Sequence, residues 1–175
     1  MTPLLDVLRL LADTMYFNGH RGLIPEAKTG KPYMLSVLYV DDDPTLLTVC
    51  KLYLERHSDI SVSISGSVEN ALTLLKNTRF DVIISDYQMP GIDGIGFLKI
   101  LRGNNCNIPF ILFTGSGRED VMIEALDNGA AFYLQKGGHS KSPFAELDEK
   151  IHKALRQYMA ENTIKEDRFL VKPVL

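Results

Sequence analysis

Between Met34 and Ala160, short runs of aliphatic and β-branched residues alternate with longer segments whose apolar residues recur at helical spacing. No other feature restricts the fold so strongly. Alternation of this kind predicts parallel strands joined by right-handed crossovers, with helices covering both faces of the sheet. The strands are expected at Met34 to Val40, Ile60 to Ile64, Phe80 to Ser85, Ile108 to Phe113 and Ala131 to Leu134. Val82, Ile83 and Ile84 are uninterrupted, as in a strand buried on both faces, whereas Ile60 to Ile64 alternates with serine and suits an edge.

The helices carry their own start and stop signals. Asp43 suits an N-cap and Pro44 the first helical position, ahead of Leu46, Leu47, Cys50, Tyr53 and Leu54 on one face. Ser67 precedes Val68, Ala71, Leu72 and Leu75, and Asp93 precedes Ile95, Leu98 and Leu101. A helix over Arg118 to Asn128 is closed by Gly129. Ser142-Pro143 opens the last one, with Phe144, Leu147, Ile151, Leu155 and Tyr158 at helical spacing. With five strands the expected fold class is α/β, a flavodoxin-like doubly wound parallel sheet in the order 2-1-3-4-5. The expected organisation is an N-terminal helix and linker over 1–33, one folded domain over 34–160 and a charged tail over 161–175. Thr2-Pro3 starts the first helix, with Leu4, Leu5, Leu8, Leu11 and Met15 on one face, and Asn18-Gly19, Gly22, Pro25, Gly30 and Pro32 mark the linker. That N-terminal stretch carries no recognisable chemistry.

Composition excludes some functions. A net charge of -3 argues against a non-specific nucleic-acid binder. No apolar run approaches the ~20 residues of a membrane span. Met1 to Asp13 lacks a basic leader and a small-residue cleavage site, so no signal peptide is expected. Cys50 is expected in the core and Cys106 in a polar loop as a free thiol, with a reducing cytoplasmic location as the default.

The polar residues of interest follow strands. Asp41, Asp42 and Asp43 come after the first, Asp86 after the third, Thr114 after the fourth and Lys136 after the fifth. In a parallel sheet all strand C-termini share one edge, so these residues converge. Crowded carboxylates repel one another, and a divalent cation removes the conflict. Mg2+ takes hard oxygen ligands, keeps several waters and is often shared with a phosphate. Lysine can pair with a carboxylate or a phosphoryl oxygen, and a threonine hydroxyl can donate to the same oxygen. The set suits a phosphoryl group on or near Asp86, as in an aspartyl phosphate. Taken singly, Asp43 reads as a helix cap, Asp41 and Asp42 as a solvated turn pair, Tyr133 as core and Lys136 as a surface residue. His20, His57, His139 and His152 share no spacing, and Gly115-Ser116-Gly117 lacks the ending of a nucleotide-binding loop.

Val40-Asp41-Asp42-Asp43-Pro44, the stretch from Asp81 to Gly94, Phe113-Thr114-Gly115 and Tyr133-Leu134-Gln135-Lys136 together resemble the motifs of the response-regulator receiver domain of two-component systems, here of the single-domain type. The resemblance implies that Asp86 accepts a phosphoryl group from a sensor histidine kinase or phosphotransfer protein. It implies Mg2+ as cofactor, ligated by Asp42 directly, by Asp41 mainly through water, by Asp86 and by the backbone carbonyl of Gln88. Thr114 and Tyr133 would be the switch pair, and Lys136 would bridge to the phosphoryl group. The fourth helix and fifth strand would then signal to a downstream effector protein, with no direct nucleic-acid contact, no membrane insertion, and homodimerisation left open. Such a chain transfers a phosphoryl group only to itself and is not expected to be an enzyme. Gln88 and Ser116 occupy positions that tune phosphoryl lifetime in that family. The pattern departs at Gly137-Gly138, where the family places a proline after the lysine. Two alternatives remain: a receiver fragment of a larger hybrid kinase or multi-domain regulator, and a Mg2+-dependent phosphatase with Asp86 as nucleophile. Against the latter, Gln88 stands where a second aspartate would act as acid and base.

Overall fold

The computed structural model describes residues 34–115, 117–137 and 142–170, the last eight of these by backbone alone. The expected N-terminal helix and linker, Ser116, Gly138 and the final residues 171–175 lie outside the described residues. Five parallel strands, β1 (Leu35–Val40), β2 (Ile60–Ser65), β3 (Val82–Ser85), β4 (Phe110–Thr114) and β5 (Phe132–Gln135), form one sheet in the order β2-β1-β3-β4-β5. Helices α1 (Pro44–His57), α2 (Val68–Asn77), α3 (Gly94–Gly103), α4 (Glu119–Asp127) and α5 (Pro143–Leu170) connect and complete it. The topology is the doubly wound one that the alternation predicts.

Side chains alternate across each strand, so the inner strands feed two cores, while β2 gives Ile60 and Val62 to one of them. Leu38, Val40, Ile83, Phe110 and Leu112 join α2, α3 and α4 in one cluster, where Phe97 meets Phe110 edge-on at 5.7 Å. Val37, Tyr39, Ile84, Ile111 and Phe113 join Leu47 and Cys50 of α1 and Leu147 and Ile151 of α5 in the other. Burying each large apolar side chain contributes about 1.5–3 kcal/mol, which is why these ten segments need no further staple.

Local signals act as read. The Asp43 carboxylate accepts from the N–H groups of Thr45 and Leu46, Ser67 Oγ from Asn70 and Asp93 from Gly96. Gly129, at φ +89, closes α4, with its N–H on the Leu126 carbonyl and that of Ala130 on Ala125. At the edge, β2 shows how an open strand is guarded. The carbonyls of Asp59, just before β2, and of Ser65 accept from Leu35 and Asp41, so the backbone N–H and carbonyl of Val62 point away from β1 while its side chain is buried. The Val62 N–H donates to Glu55 Oε1 at 2.8 Å and its carbonyl accepts from the Lys51 ammonium, both from α1.

Two features differ from expectation. Cys106 is buried at 2% exposure, not in a polar loop. Asn105 adopts φ 57, which turns the chain back, and the Cys106 N–H bonds the Leu101 carbonyl at 3.0 Å. Arg102 then grips the carbonyls of Cys106, Ile108 and Gly129, tying the end of α3 to the end of α4. Helix α5 also continues through the segment expected as a tail, to Leu170, because no glycine or proline interrupts it before Pro173.

Gly94 opens α3 where β3 ends. Its N–H bonds the Tyr87 carbonyl at 2.9 Å, and a Cβ there would overlap the Asp86 carbonyl oxygen and lie 2.7 Å from Leu112 Cδ1. Gly94→Ala is therefore expected to destabilise the fold by about 2 kcal/mol in urea unfolding; unchanged stability would show that this loop is not tightly closed.

Candidate functional site

Asp41, Asp86, Thr114 and Lys136 stand at strand ends, and their backbones are pinned to neighbouring strands. The Asp41 N–H bonds the Ser65 carbonyl at 3.1 Å, Asp86 bonds Val40 at 2.8 Å, and Lys136 bonds Thr114 at 2.9 Å. The sheet thus fixes the spacing before any side chain contributes. Asp41, Asp86 and Thr114 are buried at the carboxyl edge, at 1%, 5% and 1% exposure. The Lys136 ammonium lies 2.7 Å from Asp41 Oδ2 and 2.7 Å from Asp86 Oδ1, so one cation holds both carboxylates.

The remaining oxygens are also engaged. Asp86 Oδ2 accepts the Gln88 N–H at 2.7 Å, and Asp41 Oδ1 accepts the Asp43 N–H at 3.0 Å. Asp41 Oδ2 accepts a second donor, the phenol of Tyr39, at 2.5 Å. Among the described residues, no buried side-chain nitrogen or oxygen lacks a partner.

Burial pushes the Asp86 carboxyl above the usual aspartate value; Asp41 adds to the shift, while Lys136 and the Gln88 N–H act against it. For Lys136 burial pulls downward, but the bonds to Asp41 and Asp86 outweigh it and hold the ammonium above the usual lysine value. Behind them, burial and then the charge of Asp41 push the Cys50 thiol up to about 12, so it stays a neutral core residue.

The expected set is brought together in part. Asp41, Asp86 and Lys136 are in mutual contact, and Thr114 and Lys136 are joined through the backbone. Asp42 is exposed beside them, and Asp43 caps α1. Gln88 is exposed, on a loop that lines an open groove of about 420 Å³ with Tyr87, Met89, Pro90, Asp93 and Arg118. Tyr133 is half-buried against the core that α2, α3 and α4 cover. Gly137 is exposed, with open space where a Cβ would be. Tyr39 escaped the sequence reading because a tyrosine in an apolar strand reads as core. The available signal was its position two residues before Asp41, on the same face, since a buried phenol needs a partner.

The donor set fits Mg2+. The carboxyl groups of Asp41 and Asp86 face a single ammonium in a buried place, so hard oxygen donors outnumber the cation there. No group of three histidine, cysteine or acidic residues close enough to hold a metal exists among the described residues. Mg2+ needs fewer, because one or two carboxylates suffice when water and phosphate oxygens complete its shell.

Residues 37–152 match the family described as the response regulator receiver domain. The two-component response regulator ORR21 of Oryza sativa subsp. indica is 39% identical over 108 residues, 60% of this chain and 15% of that protein. ORR22 of the same rice is 31% identical over 129 residues, 73% of this chain and 18% of that protein. This chain therefore spans less than a fifth of those relatives. Among solved structures, the receiver domain of Francisella response regulator 1452 superposes with a TM-score of 0.64 at 31% identity, covering 71% of this chain and 98% of that one. The chemotaxis response regulator CheY4 of Vibrio cholerae gives 0.58 at 28% identity, over 71% and 98%.

A raised carboxyl pKa means that the stability tied to Asp86 is present below the usual aspartate value and is lost as pH rises through the folded value. Lys136 opposes that shift. Lys136→Met is expected to raise the Asp86 pKa further, read from its carboxyl carbon NMR shift against pH. An unchanged or lower value would show that the ammonium does not face Asp86.

Proposed function

The chain belongs to the response regulator receiver domain family, and we propose that it is a phosphorelay switch in which Asp86 accepts a phosphoryl group from the phosphohistidine of a sensor kinase or phosphotransfer protein. The observation that carries this reading is the Asp41–Lys136–Asp86 cluster at the carboxyl edge, with its uncompensated negative charge and its exposed neighbour Asp42. Receiver domains generally signal and do not turn over external substrates.

In the proposed transfer, a carboxylate oxygen of Asp86 attacks phosphorus, the phosphorus–nitrogen bond breaks, and its electron pair stays on the donor imidazole. An acyl phosphate forms on Asp86. Asp41, Asp42, Asp86 and the Gln88 carbonyl would hold Mg2+, which when bound supplies neutralisation of the phosphoryl charge. The Gln88 N–H fixes one Asp86 oxygen and so orients the other. Lys136 would move from the carboxylate pair to a phosphoryl oxygen, keeping its charge at the site. The Thr114 hydroxyl would donate to the same group, and Tyr133 would follow it inward from its half-buried place.

The output surface in this reading is α4 with β5. Arg118 at the N-terminus of α4 makes no side-chain capping bond, whereas the other end is closed at Gly129 and held by Arg102. The end near the site is thus the less costly one to move. Ile123 and Leu126 are exposed on α4, at 51% and 46%, and offer an effector protein an apolar contact. A reducing cytoplasmic location suits the two free, buried thiols. The rice regulators are several times longer than the matched region, so a receiver acting on further domains of a larger regulator is the second reading.

A small phosphodonor with Mg2+ is expected to label the protein once, and Asp86→Asn to abolish the label in mass spectrometry. Retained labelling in that variant removes the central claim. Labelling should also move the amide NMR signals of 119–135, and unmoved signals would sink the switch.

A further inference from the structure

We propose that Tyr39 is the positioning residue for Asp41: its buried phenol keeps the Asp41 carboxylate in place for a divalent cation, both while Lys136 is shared with Asp86 and when it turns to the phosphoryl group. The proposal deepens the receiver reading above and rests on it.

Three donors hold Asp41. The Asp43 N–H takes Oδ1 at 3.0 Å, while the Lys136 ammonium and the Tyr39 hydroxyl share Oδ2 at 2.7 and 2.5 Å. The first is backbone and cannot leave. Lys136 is shared with Asp86, so any chemistry at Asp86 draws it away from Asp41. Among the described residues, Tyr39 alone offers Oδ2 a donor that does not also serve the phosphoacceptor through a hydrogen bond.

The ring cannot follow the lysine. Tyr39 is fully buried, within the core that α1 and α5 cover, and its centroid lies 6.5 Å from that of Phe113. Packing fixes the ring and the ring fixes the hydroxyl. Aliphatic neighbours on β1 fill the same kind of space without a polar atom, so packing alone gives no reason for a hydroxyl here. A buried phenol without a partner is costly, and its partner here is a site carboxylate. If the phenol were removed, the departure of Lys136 would leave Oδ2 buried with no donor among the described residues. The carboxylate would then rotate, or resist the lysine's departure.

Tyr39→Phe keeps the ring and deletes the hydroxyl. Supporting partners of ligating carboxylates change metal affinity by about 10–100-fold. The variant is expected to bind Mg2+ roughly tenfold more weakly in an NMR titration of the unphosphorylated protein, with thermal unfolding close to that of the parent. Its labelling by a small phosphodonor should fall by a similar factor at low Mg2+ and recover at saturating Mg2+, which a purely structural role would not produce. Equal Mg2+ affinity in parent and variant overturns the proposal, as does a parent that binds no Mg2+. A parent that binds Mg2+ normally but is never labelled removes the receiver reading instead, while the affinity difference still tests Tyr39. Should the variant fail to fold, the parent carries the test. With ring-labelled tyrosine, the Tyr39 Cζ signal, assigned through contacts with Phe113, is expected to shift with the same Mg2+ midpoint as the Asp42 amide. A signal that stays still as the Asp42 amide moves overturns the proposal.

Discussion

One ammonium group sits between two buried carboxylates, and the carboxyl edge of the sheet is arranged around that imbalance. Charges taken out of water are costly unless paired and hydrogen-bonded. Lys136 pairs Asp41 and Asp86 but neutralises only one of them. The backbone N–H groups of Asp43 and Gln88 and the Tyr39 phenol spread the rest over fixed dipoles. Burial, more than any neighbouring charge, sets the upward shift of the Asp86 carboxyl.

Such a site persists because the structure beneath it does not depend on it. Asp41, Asp86, Thr114 and Lys136 are anchored through backbone bonds between neighbouring strands, and apolar clusters on both faces of the sheet hold those strands. Rigidity is distributed unevenly. The loop after Asp86 is closed against Gly94 with no space for a methyl group. Helix α4, by contrast, is tied down at Gly129 through Arg102 and lacks a side-chain cap at the end nearer the site.

Much of this was legible from residue order because the governing interactions are local. Asp43, Ser67 and Asp93 cap helices by reaching two or three residues ahead, and a reader can see that reach in the sequence. Strand-end placement of Asp41, Asp86, Thr114 and Lys136 follows from alternation and parallel pairing. Cys106 was misplaced because its burial depends on a left-handed turn at Asn105 and on Arg102 gripping carbonyls from two loops. Asp42 lies exposed, since consecutive residues leaving a strand point in opposite directions. Tyr39 was passed over because burial hides whether a tyrosine is there for its ring or its hydroxyl.

The sequence alone determined the alternating elements, the order of the sheet and the set of polar residues that reach one edge, because periodicity and capping act over a few neighbouring residues. Tertiary structure decided which of those polar groups touch. It put a single nitrogen between Asp41 and Asp86, set a phenol behind one of them and left α4 fixed at one end. Those outcomes depend on distances between residues as far apart in the chain as Asp41 and Lys136, which only the packed sheet brings within hydrogen-bonding range.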